Sequence, residues 1–168
     1  MTALPNRPPT LPHHTISCLV ENHFGVLARI AGLISARGFN IASLTVGETE
    51  DPTVSRMTIV VEGDERTLEQ IKKQLNRLVD VIRVQELKDG EFIDRGMILV
   101  KLEANAKQRS EIMQIMETFH GKIADVQPQS VVVECTGDQR QIDALLEVLK
   151  PFTILEVVRT GRIALGRG

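Results

Sequence analysis

The chain has 168 residues, with 20 Lys+Arg against 22 Asp+Glu and a formal net charge of −2. That balance excludes broad phosphate binding, and five Phe with no Trp or Tyr exclude a base-stacking platform, which needs exposed rings. No apolar run approaches the roughly 18–20 residues needed to span a bilayer, and the length fits either one ordinary domain or two small ones, each marginal alone because it buries only about 60% of its unfolded surface.

Met1 to Pro12 carries four of the seven prolines and no apolar signal-peptide core, so residues 1–13 are expected to form a disordered arm on a cytoplasmic protein, with His13 and His14 read as solvated residues at its end. Thr15 to Glu21 then predicts a strand, and Asn22 to Phe24 a turn. Val26, Leu27, Ile30, Leu33 and Ile34 recur at helical spacing over Gly25 to Arg37, with Gly38 as the C-cap. Asn40 to Glu48 and Val54 to Gly63 predict strands around the turn Glu50-Asp51-Pro52, the second with Met57, Ile59 and Val61 on one face. Leu68, Ile71, Leu75 and Leu78 mark a helix, on which Glu69 and Lys73 form a surface pair, and Val81 to Leu87 is a further strand closed by Asp89-Gly90. The order is βαββαβ.

The second half repeats it. Met97 to Ala104 predicts a strand, and Ile112, Ile115, Met116 and Phe119 a helix ending at Gly121. Lys122 to Val126 and Ser130 to Thr136 predict strands, Ile142, Leu145, Leu146 and Leu149 a helix, and Ile154 to Arg159 the last strand. Gly63-Asp64 recurs as Gly137-Asp138, displaced by 74 residues, and the same displacement lays Ile59 on Val133, Leu68 on Ile142, Ile71 on Leu145 and Leu75 on Leu149. The fold class is therefore α+β, two tandem ferredoxin-like βαββαβ sandwiches over residues 14–89 and 94–168, joined by a polar segment at Lys88 to Asp94. Two helices cover only one face of a four-stranded sheet, so a homodimer at minimum is expected. The tail holds Arg159, Arg162 and Arg167, and reads either as a solvated end or as a docking tail anchored by Ile163 and Leu165.

Catalytic motifs are lacking: the chain has no G-x-x-x-x-G-K-[ST], H-E-x-x-H, G-x-S-x-G or G-x-G-x-x-G. Cys18 and Cys135 lie far apart in apolar runs and read as buried small hydrophobes. His23 and His120 have no acidic or Cys neighbour at ligand spacing, so no metal site is expected, and Arg56 reads as a surface charge opposite Met57. One segment differs from the rest. Glu21 to Gly25 joins a strand to a helix start, where unpaired N–H groups and the positive dipole end suit a carboxylate. Gly25 removes the side chain where a ligand would approach, Asn22 offers an amide donor and acceptor, and Asn40 begins the next strand, expected nearby. Together they suit a zwitterionic amino acid. The same residues also read as ordinary capping and turn chemistry, with Asn22 as N-cap, and spacing alone favours that reading.

Glu21 to Leu33 (ENHFGVLARIAGL), Arg37 to Ile41 (RGFNI), Ser43 to Val46 and Asp51 to Ile59 (DPTVSRMTI) resemble the small, regulatory subunit of acetohydroxyacid synthase, or acetolactate synthase. The likeness continues through Gly63-Asp64, Gln70 to Val84, Met97 to Lys101 and Glu156 to Gly168. The resemblance implies that the first unit is an ACT domain and that the chain does no chemistry itself. It implies a large catalytic partner subunit carrying thiamine diphosphate, a divalent metal such as Mg²⁺ and FAD, with no cofactor in this chain. It implies that this chain activates that partner and confers feedback inhibition by branched-chain amino acids, usually valine, in valine, leucine and isoleucine biosynthesis. The effector site implied lies between two ACT domains of a dimer, with Asn22, His23, Gly25 and Val26 on one side and Asn40 and Ile41 on the other. The alternative is a free-standing amino-acid sensor without an enzyme partner.

Overall fold

The structure is a computed structural model, described here over residues 11–168. The predicted arm lies outside the described residues as far as residue 10. Its last part is ordered: the carbonyl of Pro12 accepts from the Gly63 amide at 3.1 Å, and His13 opens the first strand, β1 (His13–Glu21). The two histidines pair in register with Glu62 and Val61. The following strand is simply long enough to hold them, which their own polarity does not advertise.

The chain divides into two compact units, one running through Phe92 and including Gly166–Gly168, the other Ile93–Leu165. In the first, β1 lies between β3 (Val54–Glu62) and β4 (Val81–Leu87), and β2 (Asn40–Glu48) forms the outer edge beside β3, giving the antiparallel order β2-β3-β1-β4. Period-2 alternation sends Ile16, Cys18 and Val20 of β1 and Met57, Ile59 and Val61 of β3 to one face. There they meet Val26, Ile30 and Ile34 of helix α1 (Val26–Ala36) and Leu68, Ile71 and Leu75 of helix α2 (Glu65–Leu75). Helix α2 stops before Leu78, which packs against this core from the following turn. Gly38 takes the left-handed conformation (φ +74°) just beyond α1, as the C-terminal signal requires. Arg56 is not a free surface charge: its guanidinium donates to Ser17 Oγ at 2.9 Å across the sheet. Lys72 rather than Lys73 pairs with Glu69 (2.5 Å) and reaches Glu86 on β4 as well (3.0 Å). The i,i+3 partner wins because a second acid holds it in place.

The second unit repeats the plan. Strand β5 (Phe92–Glu103) lies between β7 (Ser130–Gly137) and β8 (Ile154–Arg159), with β6 (Lys122–Gln127) outside β7. Helices α3 (Ala106–Thr118) and α4 (Gln139–Leu149) bury Ile112, Met116, Ile142, Leu145 and Leu149 against Ile98, Val100, Leu102, Val131, Val133 and Cys135. The 74-residue displacement is structural. Asp64 and Asp138 are the N-caps of α2 and α4, accepting from the amides of Thr67 and Gln141 at 2.8 Å each, and the four overlaid apolar pairs are all buried. Cys18 and Cys135 are buried free thiols, and burial pushes Cys18 up to about 11.

Three expectations give way here. Strand β5 starts at Phe92, five residues before the predicted Met97, because Asp94, Arg95 and Gly96 break the apolar pattern without breaking the strand. The tail is not a solvated end: Ile163–Gly166 forms a strand, β9, on β5. Arg162 pairs with Asp94 at 3.3 Å. Four residues are too few for alternation to show in sequence. Helix α3 is closed by His120, not Gly121, in the left-handed region (φ 54°), with the Gly121 amide bonded to Met116 O at 2.8 Å. Gly121 is needed for closeness instead: a Cβ there would run into the Met116 side chain and lie 2.8 Å from the Glu134 carbonyl oxygen.

Candidate functional site

The end of β1 is clamped from both sides. The Glu21 amide donates to Asp80 O (2.9 Å), and the Asn22 amide donates to Thr53 O (2.7 Å). The Asn22 side chain continues towards the β2–β3 turn, its Nδ2 donating to Pro52 O (2.8 Å) and Glu48 Oε1 (3.2 Å). Asn22 is thus not the helix cap. The N-cap of α1 is Gly25, at φ +87° and ψ −9°, with no side-chain cap, whereas α2, α3 and α4 are capped by Asp64, Asn105 and Asp138. The glycine does two things. It takes the left-handed conformation that a Cβ disfavours by about 1–2 kcal/mol, and it leaves the positive end of α1 open to an anion. A Cβ at Gly25 would meet no atom within 4 Å apart from its own chain neighbours.

The other predicted residues fall in three places. Val26 is buried in the core with Ile30 and Ile34, so only its backbone faces the turn. Ile41 packs partly buried against the same core. Asn40 donates from Nδ2 to Glu62 Oε2 at 3.0 Å. In register, Asn40 pairs with Glu62, whereas Glu21 pairs with Val54. Eight residues of β3 separate those two levels, roughly 26 Å at the rise of an extended strand. Within one chain Asn22 and Asn40 therefore lie at opposite ends of the sheet. The expectation that they are neighbours is corrected by the antiparallel pairing of β2 with β3.

His23 has acidic neighbours after all. Its Nε2 lies 3.0 Å from Asp80 Oδ1 and 3.1 Å from Glu21 Oε2, and its Nδ1 lies 3.3 Å from Phe24 O. Acceptors at both ring nitrogens suit the imidazolium, which donates from both. The Phe24 carbonyl, then the Glu21 and Asp80 carboxylates, hold the His23 pKa above its ordinary value. Ligand atoms of Glu21, His23 and Asp80 lie within 4.8 Å of one another, a spacing open to a metal ion, yet Arg29 already pairs with the second Asp80 oxygen, and a guanidinium there opposes a further cation.

Two family profiles match the chain: "AHAS small subunit-like ACT domain" over residues 16–83 and "Small subunit of acetolactate synthase" over residues 95–168. A "Probable acetolactate synthase small subunit" from Methanothermobacter thermautotrophicus is 51% identical over 92% of this chain and 93% of its own length. The chain belongs to the acetolactate synthase small-subunit family. The acetolactate synthase small subunit of Mycobacterium leprae is 49% identical over 94% of both chains. The crystal structure of the Thermotoga maritima small subunit superimposes with a TM-score of 0.85 at 39% identity, covering 94% of this chain and 99% of that one. The two ferredoxin-like units of this family member are thus an ACT domain and the small subunit's C-terminal domain. Among the described residues no helix is long and apolar enough to cross a membrane. Sequence reasoning missed Asp80, Arg29, Glu48 and Glu62 as partners of the candidate residues. For Asp80 the sequence held a signal, a lone acid between Val79 and Val81.

Proposed function

We propose that this chain is a non-catalytic regulatory subunit, which binds the large catalytic subunit of acetolactate synthase, raises its activity and makes it sensitive to a branched-chain amino acid, valine first. The observation that carries the effector site is the α1 start, open at Gly25 and flanked by an Asn22 whose side chain is held by Pro52 and Glu48. It offers main-chain donors and a dipole to a carboxylate. Leu27 and Val46 are exposed aliphatics on the adjoining α1 and β2, which favours an aliphatic side chain over a polar one.

The two halves of the proposed site come together only between copies. β2 is an edge strand, and an edge is a template for another chain. If two β2 strands pair antiparallel about a two-fold axis at Leu44, Asn40 of one copy falls opposite Glu48 of the other. Glu48 is a partner of Asn22, so Asn40 and Ile41 of one copy approach the Asn22–Gly25 turn of the other. A ligand bridging copies binds one dimer arrangement better than another, and a coupling of about 1–3 kcal/mol gives a useful inhibitory response. The thiamine diphosphate, metal and FAD of the reaction belong, on this reading, to the catalytic partner.

The test is the rate of acetolactate formation by the catalytic subunit with and without this chain, titrated with valine, leucine and isoleucine. The expected result is a rate raised by the chain and lowered again by valine, with none from the chain alone. A rate indifferent to the chain would overturn the proposal, and valine binding by the chain together with that indifference would favour the free-standing sensor.

A further inference from the structure

Asp80 lies in the loop between α2 and β4 and is only 4% exposed. A carboxylate is seldom buried this far unless something holds it. Its neighbours explain the burial: all three of its polar attachments run to one stretch of chain. The backbone carbonyl accepts from Glu21 N at 2.9 Å. One carboxylate oxygen meets His23 Nε2 at 3.0 Å, and the other pairs with Arg29 Nη1, one turn into α1. Asp80 itself is anchored by the core, since Leu78 and Val81 on either side pack against it. Asn22 is held on its other side by Thr53 and Pro52, but from His23 to Gly25 the turn has little else to tie it to the core. Its N-cap is a glycine in the left-handed region with no side-chain cap, and Phe24 is fully exposed.

We propose that Asp80 is the positioning residue of the Asn22–Gly25 turn, fixing the aim of the α1 N-terminus towards the effector carboxylate. The inference deepens the effector reading above and rests on it for the ligand, but the restraint on the turn stands without it. Asp80 touches no effector in this scheme. It acts by holding the start, middle and helical side of the turn to the core, so that the open amides are aimed before the ligand arrives. The charged groups around His23 are Glu21 at the end of β1, Asp80 in the α2–β4 loop and, through Asp80, Arg29 on α1. Protonation of His23 adds a charge-assisted donor to the same anchor, so the grip is stronger at lower pH.

The test uses Asp80→Asn, which keeps shape and backbone but sets an uncharged amide against two donors. Hydrogen exchange is followed in the full chain, and the valine concentration for half inhibition is measured in the reconstituted holoenzyme from about pH 6 to about pH 8.5. Exchange is expected to rise over residues 21–29 and not in the C-terminal unit, and half inhibition to need about tenfold more valine. The parent should become more valine-sensitive as pH falls through the His23 titration, while Asp80→Asn and His23→Gln lose that dependence. Unchanged exchange over 21–29 overturns the positioning role whatever valine does. Faster local exchange with a parent that ignores valine overturns the effector reading and leaves the restraint intact. Faster exchange with an unshifted valine response overturns the link between the two. Should Asp80→Asn loosen the whole chain, Arg29→Gln removes one attachment from the helix surface and must reproduce the local loosening and the valine shift; its failure to do so overturns the proposal.

Discussion

Gly25→Asp separates stability from regulation. The residue sits at φ +87°, and apart from its own chain neighbours no atom lies within 4 Å of the position a Cβ would take, so the added Cβ meets no steric block from the rest of the chain. The left-handed backbone costs a Cβ about 1–2 kcal/mol. A carboxylate at the helix start returns about 0.3–1 kcal/mol through the dipole. The net cost is about 1 kcal/mol, equivalent to about 4–8 °C in the melting temperature of a domain this size. The effect on a bound carboxylate is larger. Two like charges about 4 Å apart repel by about 1 kcal/mol in bulk water and about 4 kcal/mol at the screening typical of a protein surface, which weakens binding by about fivefold to a thousandfold. The assay is inhibition of the reconstituted holoenzyme by valine, beside a thermal scan of the variant chain. Gly25→Ala carries the same strain without the charge, so its valine response should fall between parent and Asp, while without the dipole's return it should melt no higher than Gly25→Asp. If Gly25→Asp remains folded and keeps the parent's valine response, the α1 start is not the carboxylate site.

Gly121→Ala should cost about 2–3 kcal/mol by overpacking: the Met116 side chain can swing aside, but the Glu134 carbonyl, 2.8 Å from the new methyl, is backbone; urea unfolding of the C-terminal unit reads this, and a loss below about 1 kcal/mol would mean the turn relaxes freely. The raised pKa of His23 means the folded ACT domain holds that proton more tightly than the unfolded chain. Its contribution is full below about pH 6.5 and fades as pH rises through the folded-state value. The melting temperature of the ACT domain should accordingly drop from about pH 6 to about pH 8 by more in the parent than in His23→Gln, and equal slopes would refute the assignment. Light scattering of the full chain at micromolar concentration should give a dimer or larger, whereas a stable monomer would remove the proposed two-copy site.

Local and repeated features were legible in the sequence because they depend on few residues. The Gly-Asp dipeptide at both 63–64 and 137–138 marks two strand ends and two helix caps, and the leucines and isoleucines that follow fall at a spacing only a helix can bury. What failed to show needed the third dimension. Asp80 is 57 residues from His23 and 51 from Arg29 in sequence, so no local pattern joins them. Asn22 and Asn40 are 18 apart, and the connection alone does not say at which end of the sheet the second falls. The register of β2 on β3 decides it. β9 escaped notice because its one buried side chain, Ala164, lies between Ile163 and Leu165, both exposed, which inverts the pattern a half-buried strand presents.

The hydrogen bonds already made by the two asparagines bear on how an effector would be selected. Asn22 donates to Pro52 O and Glu48, and Asn40 to Glu62. A ligand drawing on those donors exchanges one hydrogen bond for another and gains little net free energy, because each exchange leaves an acceptor, the Pro52 carbonyl or a carboxylate, to be resolvated. On the proposed reading the asparagines therefore fix orientation more than affinity. Affinity falls to the α1 dipole and to apolar contact with Leu27 and Val46, where each buried methylene contributes about 0.8 kcal/mol. The helix start reads the carboxylate common to all amino acids. Aliphatic contact alone then ranks valine, leucine and isoleucine, and a difference of one methylene gives at most about fourfold preference. Sharper discrimination than that requires exclusion by shape at the second copy, so a strong preference for valine over isoleucine is itself a signature of a site closed between two chains.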